Sequence, residues 1–256
     1  MIDGDAAISI SHLTVSYGSN PALVNISVEI PRGSVVGIIG PNGAGKSTLI
    51  KSVMGFVDRD YGRVSIYGEV VENARGRVAY VPQRGQIDWD FPVTVSDVVL
   101  MGRYSHVPWY HSLGDTDRQV ASEALRDVGM EDVRHRQIGQ LSGGQQQRVF
   151  MARALAQESD ILLLDEPFAG VDAATERAIA SLLNSARDDG KTALVVHHDL
   201  DTAAEFFDRI ILLNRRIFAY GPPGQVLEPR LLTEVYGGKV LAFRNATGSG
   251  VEAAGD

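Results

Sequence analysis

The sequence predicts an α/β fold in which helices cover both faces of a parallel sheet. Apolar runs of strand length alternate with helical patterns through the second half of the chain, and that alternation is typical of parallel sheets. One apolar run in the first half, Val35 to Ile39, leads through a glycine-rich stretch directly into a helix. With 256 residues, 44% of them hydrophobic and 22% charged, the chain can form one sizeable domain with a small subdomain.

Short strands separated by glycines dominate the N-terminal third of the chain. One helix interrupts them: it begins at Lys46, where Leu49, Ile50 and Val53 recur at helical spacing, and it stops at Gly55. Turn glycines between the apolar runs set the limits of the strands. The predicted strands are Ile8 to Val15, Leu23 to Ile30, Val35 to Ile39, Val64 to Ile66 and Val78 to Val81.

The middle of the chain changes to a helical, loop-rich pattern that indicates an inserted helical subdomain. A helix is predicted from about Asp117 to Val128, because its apolar residues form one stripe before Gly129 ends it. Strands and helices then alternate to the end of the domain. These later elements are a helix from Gly144 to Ala156, a strand from Ile161 to Leu164, a helix from Ala173 to Arg187, a strand from Thr192 to Val196, a helix from Thr202 to Phe207 and a hairpin around Asn214-Arg215-Arg216.

These patterns predict a division of the chain into three parts. Residues 1–84 and 145–238 form a catalytic core with a β subdomain, and residues 85–144 form the helical subdomain. Residues 239–256 are small and polar and are expected to be a frayed tail.

Composition argues against several classes of protein. The net charge of −8, from 24 basic and 32 acidic residues, argues against a nucleic-acid binder, which normally carries a basic excess. Without cysteine, the chain has neither disulfides nor thiolate metal sites. No apolar run approaches the roughly 18–20 residues of a bilayer span, and the N-terminus carries early acids where a signal peptide has basic residues. We therefore expect a cytosolic protein.

A phosphate-binding pattern, G-x-x-x-x-G-K-[ST], follows the strand Val35 to Ile39 and precedes a helix. Its glycines let the backbone wrap phosphates with N–H groups pointing inward, and the helix N-terminus adds a favourable dipole. The lysine is predicted to reach the β- and γ-phosphates of a nucleotide, and the serine to coordinate Mg²⁺. The pattern consists of Gly40, Pro41, Asn42, Gly43, Ala44, Gly45, Lys46, Ser47 and Thr48.

Two acids, Asp165 and Glu166, end the apolar strand Ile161 to Leu164. They emerge at the C-terminal edge of the sheet, where doubly wound folds bind ligands. Taken alone, a strand that ends in Asp-Glu more often has solvated or capping acids. Beside a phosphate loop, Asp165 is predicted to lie near the Mg²⁺ shell, and Glu166 to polarise the water that attacks the γ-phosphate.

The pentapeptide LSGGQ, from Leu141 to Gln145, lies between these two motifs and opens a predicted helix. Ser142 supplies a hydroxyl, and Gly143 and Gly144 offer backbone N–H groups without competing side chains, so the stretch can bind an anion. An ordinary serine helix cap explains Ser142 as well. A nucleotide-binding domain does not need this motif to hold its own nucleotide, which suggests a site that a second copy completes.

The order of these motifs makes the chain resemble the ATPase subunit of ATP-binding cassette (ABC) transporters, from Ile8 to about Gly238. Gln83 in YVPQ, Asp172 in AGVD and His198 in VVHHD also match the family. The resemblance implies a P-loop NTPase fold with a RecA-like parallel-sheet core, an N-terminal antiparallel β subdomain and an inserted helical subdomain. It implies hydrolysis of ATP with Mg²⁺, which Ser47, Gln83 and Asp165 would hold.

The resemblance also assigns roles to single side chains. Tyr17 in SYG matches the aromatic that stacks on adenine, and a core or hairpin tyrosine is the alternative. Gln83 matches the glutamine that contacts Mg²⁺ and the attacking water and links the core to the helical subdomain. His198 matches the family histidine because it directly precedes an aspartate, so His197 is expected to have a structural role. Catalysis is thereby assigned to Glu166, His198, Gln83 and Lys46.

Asp172 matches the acid that communicates across the dimer interface of the family. The family often has Ser-Ala-Leu-Asp at this place, whereas this chain has Ala169-Gly170-Val171-Asp172. The missing serine puts one hydrogen bond across the interface in doubt.

In the family, Ser142, Gly143, Gly144 and Gln145 bind the γ-phosphate that the opposite protomer holds. The resemblance therefore implies a head-to-tail dimer of two copies with two shared ATP sites. It also implies integral-membrane permease subunits and, indirectly, an extracytoplasmic substrate-binding protein, with this chain on the inner face of the membrane. The permease is expected to dock on the helical subdomain, where the aromatic residues Trp89, Phe91, Trp109 and Tyr110 concentrate, although each of them could equally belong to the core.

The transported substrate is indicated by similarity of sequence and not by residues that could bind it. DWDFPVTV after YVPQ, and RHRQI before LSGGQ, resemble the ATPases of manganese, zinc and iron importers, but these residues do not form a Mn²⁺ or Zn²⁺ site. ATPases of iron-siderophore and cobalamin importers resemble the chain next best. A soluble cassette ATPase that acts on DNA or ribosomes is a further alternative. Those enzymes usually carry a long coiled coil or two cassettes, whereas this acidic chain has one cassette.

Overall fold

The computed structural model describes residues 6–87, 89, 91–108 and 110–237. The strands are β1 (Ala6–Tyr17), β2 (Asn20–Pro31), β3 (Val35–Ile39), β4 (Tyr61–Ile66), β5 (Glu69–Val70), β6 (Val78–Val81), β7 (Ile161–Asp165), β8 (Thr192–Val196), β9 (Arg209–Asn214) and β10 (Arg216–Gly221). The α-helices are α1 (Lys46–Val53), α2 (Val95–Leu100), α3 (Asp115–Asp127), α4 (Gly143–Ala156), α5 (Ala173–Asp188), α6 (Leu200–Phe206), α7 (Pro223–Val226) and α8 (Pro229–Tyr236).

The larger sheet has the strand order β10-β9-β3-β8-β7-β6. Its strands from β9 to β6 pair in parallel, and β10 joins the β9 edge as an antiparallel hairpin partner. β3 lies inside the sheet, where Gly37 pairs with Val195 on one side and Ile210 on the other. The loops after β3 and β7 therefore leave the same edge of the sheet, which brings the phosphate loop and the Asp-Glu pair together.

The smaller sheet has the order β2-β1-β4-β5 and is antiparallel. Its long strands β1 and β2 show the alternation of buried and exposed residues expected of a sheet with one face on a core. That buried face packs toward the larger sheet and helix α1.

Two apolar cores lie on opposite faces of the larger sheet. Successive residues along its strands belong alternately to one core and to the other. In β7, Leu162 and Leu164 belong to the core that also contains α4 and α5. Ile161 and Leu163 belong to the core shared with α1 and the smaller sheet. The strands β3, β7 and β8 have five residues each, and every one of these residues is buried, as in a parallel sheet that is covered on both faces.

Helices α2 and α3 lie within the predicted helical subdomain and pack on each other and on α4. α2 has only six residues, and Thr94 starts it with a capping box in which Thr94 Oγ1 accepts from Asp97 N and Asp97 Oδ2 accepts from Thr94 N. A buried ion pair between Arg103 and Asp117, 3.1 Å apart, joins the segment after α2 to α3. The boundaries of the three parts of the chain remain predictions.

The structure confirms the predicted fold class, with a parallel core, an antiparallel β subdomain and helices on both faces. Most element limits shift by a few residues, and α6 begins at Leu200 because the carboxylate of Asp199 caps it, accepting from Asp201 N at 2.8 Å. The sequence patterns missed β5, α2, α7 and α8, each of which has eight residues or fewer. Trp109 and the predicted tail, 239–256, lie outside the described residues. Within the described ranges, no helix combines the length and apolarity that a bilayer span requires.

Candidate functional site

The phosphate loop, Gly40 to Thr48, connects β3 to the start of α1. Two of its glycines are sterically required. A Cβ at Gly40 would lie 1.9 Å from the carbonyl oxygen of Leu213, and one at Gly45 would lie 2.6 Å from the carbonyl oxygen of Ala22. Gly45 also has a φ of 94°, which favours glycine. The loop is thus held between two strands with the N-terminus of α1 facing its interior, an arrangement suited to phosphate.

Lys46 lies in the interior of this loop and is only 7% exposed. Its Nζ donates to the carbonyl oxygens of Gly40 at 2.8 Å and Pro41 at 3.1 Å. Burial lowers the pKa of Lys46 from its usual value, and the carboxylates of Glu166 and Asp165 oppose that shift. The ammonium group is therefore placed where it can meet a phosphate that enters the loop.

Ser47 and Asp165 form the oxygen-rich base of the site. Ser47 Oγ donates to Asp165 Oδ1 at 3.2 Å, and Asp165 is only 1% exposed. In the described part of the chain, the buried Asp165 Oδ2 has no hydrogen-bond partner. Burial raises the pKa of Asp165, and the hydrogen bond from Ser47 opposes that rise. An unpartnered buried carboxylate oxygen beside a serine hydroxyl is a donor set that fits Mg²⁺, which prefers hard oxygen ligands.

Glu166 and Gln83 meet beside this base. Gln83 Nε2 donates to Glu166 Oε2 at 2.8 Å, across the ends of the adjacent strands β6 and β7. Glu166 has a φ of 53°, in the left-handed region that non-glycine residues seldom adopt. This backbone conformation sets the direction in which the Glu166 side chain leaves the end of β7.

Tyr17, at the end of β1, borders the same cleft. The cleft has a volume of about 440 Å³ and is lined by Tyr17, Ala22, the loop from Asn42 to Thr48, and Glu166. The Tyr17 side chain is 53% exposed. An aromatic ring half open to solvent beside the phosphate loop is available for stacking, and its exposure argues against the alternative of a core tyrosine.

The LSGGQ motif spans the start of α4, with Leu141 and Ser142 before the helix and Gly143 to Gln145 in its first turn. Ser142 caps the helix: its N donates to Gln145 Oε1 at 3.0 Å, and its Oγ accepts from Gln145 N at 3.4 Å. Ser142 is exposed, and the first turn of α4 carries no acidic side chain. Among the described residues, no hydrogen bond joins Ser142 to the cleft at the phosphate loop. Binding of an anion by this turn, at the site of a second copy, remains a prediction.

Asp172 starts α5. Its Oδ1 accepts from Ala174 N at 3.0 Å and Thr175 N at 2.9 Å, and these bonds, that from Thr175 first, lower the pKa of Asp172. Thr175 also lies against the signature turn, Ser142 to Gln145 of the LSGGQ motif, since a Cβ at Gly144 would be 3.0 Å from Thr175 Oγ1. Asp172 thus has a helix-capping role in the structure, and its role across a dimer interface remains a prediction.

The two histidines after β8 differ in environment. His197 is 1% exposed, its Nε2 lies 2.8 Å from Thr202 Oγ1, and its ring packs on Phe168 and Phe207. Burial lowers the pKa of His197 to about 4, with His198 adding to the shift. His198 is exposed, with no hydrogen bond to the cleft among the described residues. The structural role expected for His197 agrees with this burial, and the catalytic role of His198 remains a prediction.

The predicted residues therefore fall into two groups. The phosphate loop, Asp165, Glu166, Gln83 and Tyr17 lie together at one cleft, whereas Ser142 and His198 are exposed and have no hydrogen bond to it among the described residues. Of the predicted docking aromatics, Phe91 and Tyr110 are exposed, and Trp89 packs edge-on against Phe150.

Arg84 is a residue that the sequence patterns missed. Its guanidinium contacts the first turn of α4 and hydrogen-bonds to Gln146. The only signal in the sequence was its position next to Gln83.

The family model described as ABC transporter matches residues 23–169. The manganese transport system ATP-binding protein of Bacillus subtilis (strain 168) is 54% identical over 93% of this chain and 95% of its own length. The zinc transport system ATP-binding protein of Treponema pallidum (strain Nichols) is 50% identical over 91% of this chain and 88% of its own length. A crystal structure of a nucleotide-free ATP-binding cassette from an ABC transporter superposes with a TM-score of 0.81 at 26% identity, covering 91% of this chain and 100% of that one.

Proposed function

The chain belongs to the ABC transporter family as an ATP-hydrolysing subunit, and we propose that it powers the import of divalent metal ions, with manganese and zinc as the first candidates. ATP hydrolysis is supported by the cleft in which the phosphate loop, Asp165, Glu166 and Gln83 meet. Import of metal ions is supported by relatives named for manganese and zinc transport that are about half identical to this chain over nearly its whole length.

In the proposed reaction, water attacks the γ-phosphorus of ATP while the bond to the bridging β-phosphate oxygen breaks, giving ADP and phosphate. Glu166 orients the water and accepts a hydrogen bond from it, and Gln83 holds the Glu166 carboxylate. Lys46 exchanges its contacts with Gly40 and Pro41 for phosphate oxygens, which neutralises their charge. Mg²⁺, held by Ser47, Asp165 and Gln83, would supply further charge neutralisation at the phosphates.

The active unit in this proposal is a dimer of two copies. Ser142 to Gln145 of one copy bind the γ-phosphate at the phosphate loop of the other, which accords with an exposed Ser142 that, among the described residues, has no hydrogen bond to its own cleft. His198 and Asp172 act at the same interface. Tyr17 stacks on the adenine.

Transport requires partners with a path through the membrane. We propose that permease subunits dock on the helical part of the chain, which presents the exposed side chains of Phe91, Tyr104 and Tyr110. An extracytoplasmic substrate-binding protein would deliver the metal ion to the permease, and the chain itself would act on the cytoplasmic face.

The test compares two carboxylate-to-amide variants. Glu166→Gln removes the charge that orients water, and Glu234→Gln makes the same change at an exposed position of α8. We expect purified Glu166→Gln to bind ATP, lose at least about 100-fold in hydrolysis and accumulate as an ATP-bound dimer. Glu234→Gln should behave like the wild type. Hydrolysis by Glu166→Gln near the wild-type rate would refute the assigned role.

The metal assignment is tested in cells that lack this chain. Uptake of Mn²⁺, Zn²⁺ and Fe²⁺ is measured after complementation with the wild type, Glu166→Gln or Glu234→Gln. We expect the wild type and Glu234→Gln to restore uptake of at least one of these ions, and Glu166→Gln to restore none. If an active wild-type ATPase restores uptake of none of them, the metal assignment is wrong while the ATPase assignment stands.

A further inference from the structure

Arg84 lies directly against the first turn of α4, which contains Gly143 to Gln145 of the LSGGQ motif. A Cβ at Gly143 would be 2.7 Å from Arg84 Nη1 and 2.9 Å from its Cζ, so the guanidinium rests on the bare backbone of this glycine. Arg84 Nη2 donates to Gln146 Oε1 at 3.0 Å, and Arg84 Nε approaches the same oxygen at 3.3 Å. A planar guanidinium with two N–H groups on one acceptor has a fixed orientation.

Gln146 extends this contact to the loop that precedes the signature motif. Its side chain is buried, and its Nε2 donates to the carbonyl oxygen of Ile138 at 3.2 Å. Arg84 therefore contacts the first turn of α4 at Gly143, and through Gln146, which also lies in α4, it is linked to Ile138 in the segment that precedes the helix.

Trp89 anchors the same segment further along. Its Nε1 donates to the carbonyl oxygen of Arg84 at 3.1 Å, and its ring lies edge-on to Phe150 of α4 with centroids 5.3 Å apart. The segment that begins at Gln83 thus contacts α4 at two positions along the helix, through Arg84 near Gly143 and through Trp89 at Phe150.

The other end of the segment is in the ATP site. Gln83 precedes Arg84 and donates to Glu166 Oε2 at 2.8 Å. One continuous polar path consequently runs from Glu166 through Gln83, the Gln83–Arg84 peptide and the Arg84 guanidinium to the signature turn.

We propose that Arg84 is a positioning residue that couples the two ATP sites of the dimer. The inference rests on the proposed function, in which Gln83 and Glu166 serve the ATP of their own chain while the signature turn serves the ATP of the partner copy. A change at the Gln83–Glu166 hydrogen bond then shifts Arg84 and with it the turn that completes the other site. The guanidinium also places a positive charge at a helix N-terminus that lacks acidic side chains, which favours the incoming γ-phosphate.

The test uses the full-length chain with Arg84→Gln, Arg84→Lys and, as matched control, Arg230→Gln at an exposed position of α8. Steady-state hydrolysis is measured against ATP concentration. Wild type and control should be cooperative, with a Hill coefficient approaching about 2, the number of sites. The Hill coefficient of Arg84→Gln should fall toward about 1. That of Arg84→Lys should fall as well, because an ammonium keeps the charge but does not reproduce the paired contact with Gln146.

A second measurement distinguishes a loss of coupling from a folding defect and from weaker ATP binding to the single chain. In the Glu166→Gln background, Arg84→Gln should raise the ATP concentration for half-maximal dimer formation by roughly tenfold, the loss expected for one charge-assisted contact. ATP binding to the monomer at low protein concentration should change by less than about twofold, since Arg84 does not line the nucleotide cleft. Thermal unfolding verifies that each variant is folded.

The outcomes distinguish this inference from the function on which it rests. If the Glu166→Gln chain does not dimerise with ATP at all, the proposed shared-site dimer fails. If it dimerises and both Arg84 variants keep wild-type cooperativity and the wild-type ATP requirement, the coupling role of Arg84 is refuted. If Arg84→Lys alone behaves like the wild type, charge and not geometry is responsible, and the coupling path is refuted too.

Discussion

The side-chain amide of Gln83 donates a 2.8 Å hydrogen bond to the carboxylate of Glu166. The two residues follow neighbouring strands, β6 and β7, that are far apart in the sequence but pair in parallel, from Val78 opposite Ile161 to Val81 opposite Leu164. The register of the sheet thus sets the distance between them. Since Gln83 also begins the segment that leads to α4, the geometry of the hydrolytic site depends on where that segment lies.

The first prediction concerns Gln83. Gln83→Ala removes the donor that holds Glu166, so the carboxylate is no longer fixed for orienting water, and we expect kcat to fall by about 100-fold. ATP binding measured without Mg²⁺ should change by less than about twofold, because the phosphate loop and Tyr17 are untouched. Steady-state hydrolysis and equilibrium nucleotide binding measure the two effects. Gln119→Ala on the exposed side of α3 is the control, and an unchanged kcat for Gln83→Ala would contradict the assigned role.

The second prediction concerns Tyr17. If its half-exposed ring stacks on adenine, Tyr17→Ala should weaken ATP binding by about tenfold, within the roughly 1–3 kcal/mol of a base-to-aromatic stack. Tyr17→Phe should bind ATP like the wild type because the ring is retained. Tyr61→Ala removes an exposed tyrosine of the same sheet and controls for surface effects. Nucleotide titrations that find equal affinity for Tyr17→Ala and the wild type would leave Tyr17 as a hairpin residue.

Much of the site could be predicted from the sequence because its chemistry is local. The phosphate loop is a contiguous stretch between a strand and a helix, and Asp165 and Glu166 directly follow an apolar strand. The burial of His197 beside an exposed His198 also accords with the preference for His198. In each case, sequence neighbours determine the geometry.

The contacts that were not predicted are those between distant segments. Nothing local to Arg84 indicates that its guanidinium meets Gly143, because that contact depends on how α4 packs beside β6. The same holds for the contact between Gly144 and Thr175. Short elements such as α2 and β5 were missed because six and two residues carry too little periodicity.

The third prediction separates the two roles of Asp172. Asp172→Ala removes the acceptor for the first N–H groups of α5 and should lower Tm. Asp172→Asn keeps a cap, since asparagine is a good N-cap residue, and should keep the wild-type Tm. A role at the dimer interface then predicts reduced hydrolysis for Asp172→Asn despite its normal Tm. If hydrolysis of Asp172→Asn equals that of the wild type, the carboxylate acts only as a helix cap.

The fourth prediction concerns pH and His197. Burial among Phe168, Phe206 and Phe207 lowers its pKa from 6.5 to about 4, with the adjacent His198 adding to the shift and Asp199 opposing it. The folded state therefore keeps this ring neutral at pH values where the unfolded chain has already bound a proton. The unfolded state binds more protons only between pH 6.5 and about 4, so the free energy of unfolding falls as the pH falls through that range.

The lowered pKa of His197 limits the loss in the free energy of unfolding to roughly 3 kcal/mol between pH 6.5 and about 4. Above pH 6.5 this histidine causes no loss of stability. His197→Gln does not titrate but retains an amide near Thr202 Oγ1, so its stability should depend less steeply on pH in this range, by up to that amount. Denaturant unfolding of both proteins from pH 4 to pH 8 gives the difference directly, and pH dependence from the other groups cancels. Parallel curves for His197→Gln and the wild type would show that His197 does not stay neutral in the folded protein below pH 6.5.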